Sequence, residues 1–170
     1  LAVLFPDEEL KILPYNRVVK DLNGLSKEAF LSKVEENFEL SVSDVPVSPD
    51  KKGTYGMFLD NTWYLLKAKG KILSDDAVDG LDVAVLQNNL LEPVLGIIDP
   101  KTDKRIDFVG GIRGLKELER RCSLDCVVAF SMYPTSISEL FAVSDNNRLM
   151  PPKSTWFEPK LRSGLFIHRI

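Results

Sequence analysis

Histidine occurs once in this chain, at His168, and cysteine twice, at Cys122 and Cys126. These are too few soft ligands for a structural zinc site, which takes four, and no other grouping of residues reads as a metal cluster. The C-x-x-x-C pair falls around an expected helix end. Two buried thiols in a reducing compartment are the ordinary reading of such a pair and a redox couple the rarer one, so a cytoplasmic location is expected. Long apolar runs are missing as well: none approaches the roughly 20 residues of a membrane span. Leu1 to Phe5 stops at Pro6 and does not read as a signal peptide. There is no Walker motif, no G-x-G-x-x-G fingerprint and no nucleophile elbow, since Ser163-Gly164 lacks the preceding Gly-x. Nor is there an excess of positive charge. With 22 Lys and Arg against 25 Asp and Glu the net charge is -3, which argues against a nucleic-acid or membrane-surface partner.

What is present suits one globular domain over residues 1–170. The 44% hydrophobic and 28% charged composition is ordinary for a soluble protein and sufficient to bury a core without disulfide or metal support. Charge is unevenly spread: residues 148–170 hold five cations and one glutamate, a local +4, which leaves -7 on residues 1–147. That asymmetry favours a small anionic ligand bound at one place. The chain opens abruptly on Leu1-Ala2-Val3-Leu4-Phe5, without Met or a polar lead-in, and is expected to be the C-terminal part of a longer protein.

Periodicity and punctuation predict the elements. Leu1 to Phe5 and Leu10 to Leu13 read as a hairpin, and Pro14 to Gly24 as an irregular connection. Ser26 caps a helix over 27–37, on which Phe30, Leu31, Val34 and Phe38 recur at helical spacing. Residues 38–43 alternate as a strand. Thr54 to Leu59 and Thr62 to Lys69 form a hairpin around Asp60-Asn61. Gly80 to Leu91 is helical up to Pro93, Arg105 to Val109 a strand, and Leu115 to Cys122 a helix. Val127 to Met132 is an apolar central strand, Ser136 or Ser138 caps a helix to about Ser144, and Gly164 to Ile170 is a final strand. Hairpins mixed with strand-helix-strand units predict an α+β two-layer domain, a mixed sheet with helices mainly on one face.

Two segments are not explained by core building. Met150 to Gly164 carries three prolines, three cations and the Trp156-Phe157 pair, with neither helical nor strand periodicity; proline fixes φ and removes donors, so an ordered loop is expected. Lys153, Lys160 and Arg162 on that loop are candidate anion ligands. Arg105 to Gly114 reads as a strand, a glycine turn and a helix. Gly110 and Gly111 would let backbone N–H groups approach a phosphate, with Arg113 as a bidentate cation; a tight turn alone accounts for the same glycines. Arg17 and Lys20, between Asn16 and Asp21, add two more candidate anion ligands. Candidate catalytic groups are Asp21, if it lies near Lys153 or Arg113, together with Glu158 and His168. For Glu158 an ion pair shaping the loop is the competing reading, and for His168 a hydrogen-bonded structural role.

Three of these runs, Pro14-Tyr15-Asn16-Arg17-Val18-Val19-Lys20-Asp21-Leu22-Asn23-Gly24, Arg105 through Gly114, and Met150 through Gly164 with His168, resemble the C-terminal half of the bacterial domain-of-unknown-function family 1015. Leu81-Asp82-Val83, Leu95-Gly96-Ile97 and Ala129-Phe130-Ser131-Met132-Tyr133-Pro134 agree with that resemblance. It implies an upstream domain with a Gly-His-His-Arg motif similar to ParB-like nucleotide-binding proteins, some of whose relatives phosphorylate free serine; no Gly-His-His-Arg occurs in this sequence. The family has no assigned function, so the resemblance carries over no catalytic residue and no cofactor. The expected function is a phosphate-binding contribution to a small-molecule enzyme, phosphotransfer among the options. The alternative is a non-catalytic module that binds a ligand, docks the N-terminal domain or pairs edge to edge as a homodimer.

Overall fold

The computed structural model describes residues 6, 9–158 and 160. The chain runs β1 (Lys11–Leu13), β2 (Tyr15–Val19), α1 (Lys27–Asn37), β3 (Phe38–Ser43), β4 (Thr54–Leu59), β5 (Thr62–Ala68), α2 (Asp82–Leu86), β6 (Ile106–Gly110), α3 (Leu115–Leu124), β7 (Val128–Met132), α4 (Ile137–Asp145) and β8 (Trp156–Glu158). Six strands form one sheet in the order β3-β5-β4-β7-β2-β6, and β1 pairs with β8 in a two-stranded ribbon. The class is α+β, as expected. The pairings among the described residues are all antiparallel, so the parallel neighbours of a mixed sheet do not occur there.

Strand alternation sends successive side chains to opposite faces. Val19, Met57 and Phe130 join the larger core, beneath α1 through Phe30 and Val34, α2 through Val83 to Leu86, and α4 through Val143. Val18, Phe58 and Ala129 point the other way, into a smaller core covered by Leu118 of α3. Each of the valine, leucine, methionine and phenylalanine side chains among them, fully buried, contributes about 1.5–3 kcal/mol. Helices therefore lie mainly on one face, with α3 on the other. None of the described helices is long and apolar enough to cross a membrane.

Local signals explain the boundaries that match. Ser26 Oγ accepts the Ala29 N–H at 3.2 Å and starts α1. Ser136 rather than Ser138 caps α4, in a capping box with Glu139. Asp60 and Asn61 both take positive φ, 50° and 56°, as a two-residue hairpin turn requires.

Three expectations fail. Pro14 to Gly24 is not an irregular connection: Tyr15–Val19 is β2, an interior strand between β7 and β6. Its polar residues are buried because they have partners; Asn16 Oδ1 accepts the Met132 N–H at 3.0 Å. The helix expected over Gly80 to Leu91 starts at Asp82 and widens into a π-helix at Gln87–Leu91. There Glu92 N–H bonds the Gln87 carbonyl, while the Asn89 amide takes the Val85 carbonyl, and the wider turn buries both Leu90 and Leu91. Within the Met150 to Gly164 run, Trp156–Glu158 is a strand, because Lys11–Leu13 offers it a partner edge. The strands expected at Leu1 to Phe5 and Gly164 to Ile170 lie outside the described residues.

Among the described residues strand β6 is an edge. The backbone bonds Lys20 N–H to Arg105 O and Gly111 N–H to Pro14 O fix which pairs face each other across β2 and β6. The Arg17–Phe108 pair is then a non-hydrogen-bonded one, and the Phe108 N–H points outward. It donates to Asp107 Oδ1 at 2.7 Å.

Candidate anion-binding site

Arg17 sits in the middle of β2 between Phe108 of β6 and Phe130 of β7, on the face of the larger core. It is only 3% exposed. Its guanidinium donates to the Tyr15 carbonyl and, at 3.0 Å, to the Lys153 carbonyl. It also lies 5.6 Å from the Phe108 ring centroid. None of the described carboxylates pairs with it. Burial pulls its pKa down to about 10, against the opposing influence of Tyr55 and Tyr15. Beside it is a cavity of about 30 Å³ lined by Val83, Gln87, Phe108, Pro151 and Pro152 among others, room for one or two waters.

The tail loop closes this place from the other side. Lys153 holds φ +56°, a left-handed conformation uncommon outside glycine. Its Nζ stands 5.5 Å from the Tyr15 ring centroid and 5.8 Å from that of Phe108, and 3.5 Å from the Tyr15 hydroxyl. Ser154 bonds back to the Pro151 carbonyl, and Thr135 Oγ1 holds the Ser154 carbonyl at 3.1 Å. Phe108, Tyr15 and Trp156 form an edge-to-face ladder with centroids 5.7 and 5.2 Å apart. Lys160 Nζ stands 4.1 Å from the Trp156 centroid and donates to the Phe157 carbonyl. Arg17, Lys153 and Lys160 are thus set against aromatic faces, an arrangement that attracts cations without neutralising them.

The glycine turn joins the same region, but as packing. A Cβ on Gly110 would lie 2.6 Å from the Trp156 ring, and one on Gly111 2.6 Å from the Pro14 ring. The Gly111 N–H is already given to the Pro14 carbonyl at 2.7 Å, so it does not offer itself to a ligand. Arg113 is 65% exposed and lies 3.9 Å from Glu117. It lines a separate groove of about 210 Å³ with Asp107, Glu117, Arg121 and Trp156. In that groove Arg121 is held by Asp107 and Asp125 at 2.8 Å each, and Glu117 by Arg120 at 2.7 Å; the charges there are matched.

Lys20 and Asp21 follow the opposite end of β2. Lys20 donates its N–H to the Arg105 carbonyl, and Asp21 accepts from Asn23 N–H at 2.9 Å and faces Arg105 at 3.4 Å. Glu158 accepts the Trp156 Nε1–H at 2.8 Å, fixing the ring's orientation. Arg162 and His168 lie outside the described residues. Cys122 and Cys126 are free thiols. Burial pushes Cys122 up to about 12 and Cys126 upward as well, so neither offers a thiolate near neutral pH.

Sequence reasoning missed Tyr15 and Phe108, the rings on which the cations rest; Tyr15-x-Arg17-x-Val19 alternation within a strand was the signal. It missed Tyr55 and Asp82 too. Asp82 is buried at the start of α2, accepting from Gly53 N–H at 2.9 Å, with the Tyr55 hydroxyl 3.4 Å from its Oδ1. Its Oδ2 has no hydrogen-bond partner among the described residues. Burial pushes its pKa up to about 6, aided by Glu139 and opposed by Gly53, Lys52 and Tyr55.

Comparison with solved structures supplies a fold likeness. A mutant free serine kinase in complex with AMP aligns with a TM-score of 0.51 at 12% identity, over 88% of this chain and 54% of that one. A second mutant with AMP gives 0.53 at 10%, over 88% and 55%. A complex with ADP gives 0.51 at 10%, over 88% and 54%. The chain therefore spans about half the length of these structures, and at such identities the likeness is one of fold. None of the curated proteins matches. The family model described as "Protein of unknown function (DUF1015)" matches residues 1–84, a span that holds β2 with Arg17 and ends in α2, while the Arg105 to Gly114 and Met150 to Gly164 runs fall beyond it. That match, over just under half of the chain, likens its N-terminal part to the DUF1015 family.

Proposed function

We propose that this chain supplies a phosphate-binding wall to a small-molecule enzyme of the phosphotransfer kind, with Arg17 and Lys153 as its cations. The observation that carries the reading is Arg17: a guanidinium removed from water with no carboxylate among the described residues. A buried charge is costly unless paired, and here two carbonyls and a ring make up only part of the loss. An anion replacing the Lys153 carbonyl would complete the set, with the Pro151-Pro152 segment lifting to admit it. Cations fixed around a transferring phosphoryl group stabilise the charge that develops on it. The fold likeness to kinases bound to AMP and ADP agrees with this class. The rest of such an enzyme, as in those structures, would lie outside this chain.

The test is calorimetric titration of inorganic phosphate and ADP into the protein. Wild type is expected to bind at least one of them, and Lys153→Gln more weakly by about three-fold, as suits an exposed cation. Absence of binding by wild type to both ligands overturns the reading.

A docking or oligomerisation role is the second reading. It is favoured by the exposed Val42, Val45 and Leu65 at the β3 edge of the sheet, along a groove of about 400 Å³. A molecular mass by light scattering that stays monomeric up to high protein concentration would remove self-association from it.

A further inference from the structure

Asp82 is buried, charged at neutral pH and used by nothing described so far. The helix it begins carries Val83, Gln87 and Leu91 across the cavity beside Arg17. Tyr55 touches Asp82 and lies within electrostatic reach of Arg17. Its hydroxyl lies 3.2 Å from the Asp82 carbonyl and 3.4 Å from Oδ1, and Tyr55 and Arg17 influence one another's ionisation across the sheet face. A buried cation and a buried carboxylate thus share one tyrosine and one roofing helix.

The hydrogen-bond inventory of Asp82 suits a neutral acid better than a carboxylate. Donors from Gly53 and Tyr55 converge on Oδ1, and none reaches Oδ2. Its other charged neighbours are Lys52 and Glu139, which pair with each other at 2.8 Å. Glu139 is held below the usual carboxylate range, its ion pair and capping bonds outweighing burial, so it stays charged through the window in which Asp82 titrates.

We infer that Asp82 is a proton-linked positioning residue for the Arg17 site, and that an anion is held more tightly when Asp82 is neutral. The inference rests on the reading of Arg17 as an anion ligand. A negative charge brought to Arg17, which shares the tyrosine with Asp82, disfavours the ionised form of Asp82, so anion binding takes up protons there. By reciprocity, protonation of Asp82 strengthens anion binding.

Sulfate is the probe, because its charge is constant between pH 5 and 7.5, and the His168→Gln background removes the sole histidine from that window. Titrations at pH 5 and 7, in buffers of different ionisation enthalpy, are expected to show sulfate bound about five-fold more tightly at the lower pH, with net proton uptake. Asp82→Asn should flatten the pH dependence. Tyr55→Phe, which keeps the ring and removes a hydrogen bond that favours ionised Asp82, should move it to higher pH and decides the matter should Asp82→Asn fail to fold. If sulfate binds and these variants retain the wild-type pH dependence, the linkage is overturned and the anion site stands. If sulfate does not bind at either pH, the anion site fails and the linkage with it.

Discussion

Arg17 and Arg121 lie against opposite faces of the same edge strand and are partnered in opposite ways. Arg121 holds Asp107 and Asp125 through short ion pairs, and these carboxylates raise its pKa well above the ordinary value. Arg17 is buried more deeply, has carbonyls and a ring for company, and has its pKa lowered. An arginine already given two carboxylates fixes structure; one buried without any among the described residues suits the anion-binding role proposed for it. The comparison separates charge that finishes the fold from charge that the fold leaves open.

The sharpest way to break this contrast is to remove each guanidinium in turn. Arg17→Met should weaken phosphate binding by about 100-fold, the loss of a desolvated charge-assisted bond, whereas Arg121→Met should leave binding unchanged and lower stability by about 1 kcal/mol. Equal effects on binding would erase the distinction. Next in size is the acid behind Arg17. Because the native pKa of Asp82 is raised to about 6, the folded chain keeps this proton where the unfolded chain has lost it. The stability it confers is therefore present at low pH and lost as pH rises from about 4 through 6, by about 2 kcal/mol. Carboxylates such as Asp76, Asp103 and Asp125, held low by hydrogen bonds and ion pairs, act in the opposite sense and lose their contribution below their unfolded values. Denaturant midpoints across pH 4–8 should therefore fall on the alkaline side in wild type, and Asp82→Asn should remove that fall. Smallest is Gly110→Ala: the added methyl meets the Trp156 ring and should cost about 1–2 kcal/mol, with a shift in tryptophan emission as the ring is displaced.

Local chemistry made some elements readable. Ser26 and the Phe30–Val34 spacing, the Asp60-Asn61 turn and the Ser136 cap, one of the two serines expected, each act within a few residues, and each lies where the sequence put it. Strand β2 was hidden because Asn16 and Arg17 look like surface residues until Met132 and Lys153 satisfy them from more than a hundred positions away. The same distance separates Arg17 from Lys153, so their meeting is a property of the sheet order. Lys20 illustrates the converse: three residues from Arg17 in sequence, it follows the other end of the strand, beside Arg105. Asp82 was passed over inside the apolar Leu81-Asp82-Val83 run, where the helix period marks an inward face but says nothing of a tyrosine hydroxyl waiting there.

The carboxylate that caps the outward Phe108 amide also bears on how molecules of this protein meet. A newcomer strand aligning along β6 would have to strip away a bond to a charged oxygen, itself anchored by Arg121, before forming its first rung. Among the described residues, that margin of the sheet is thereby guarded against fibre-like growth.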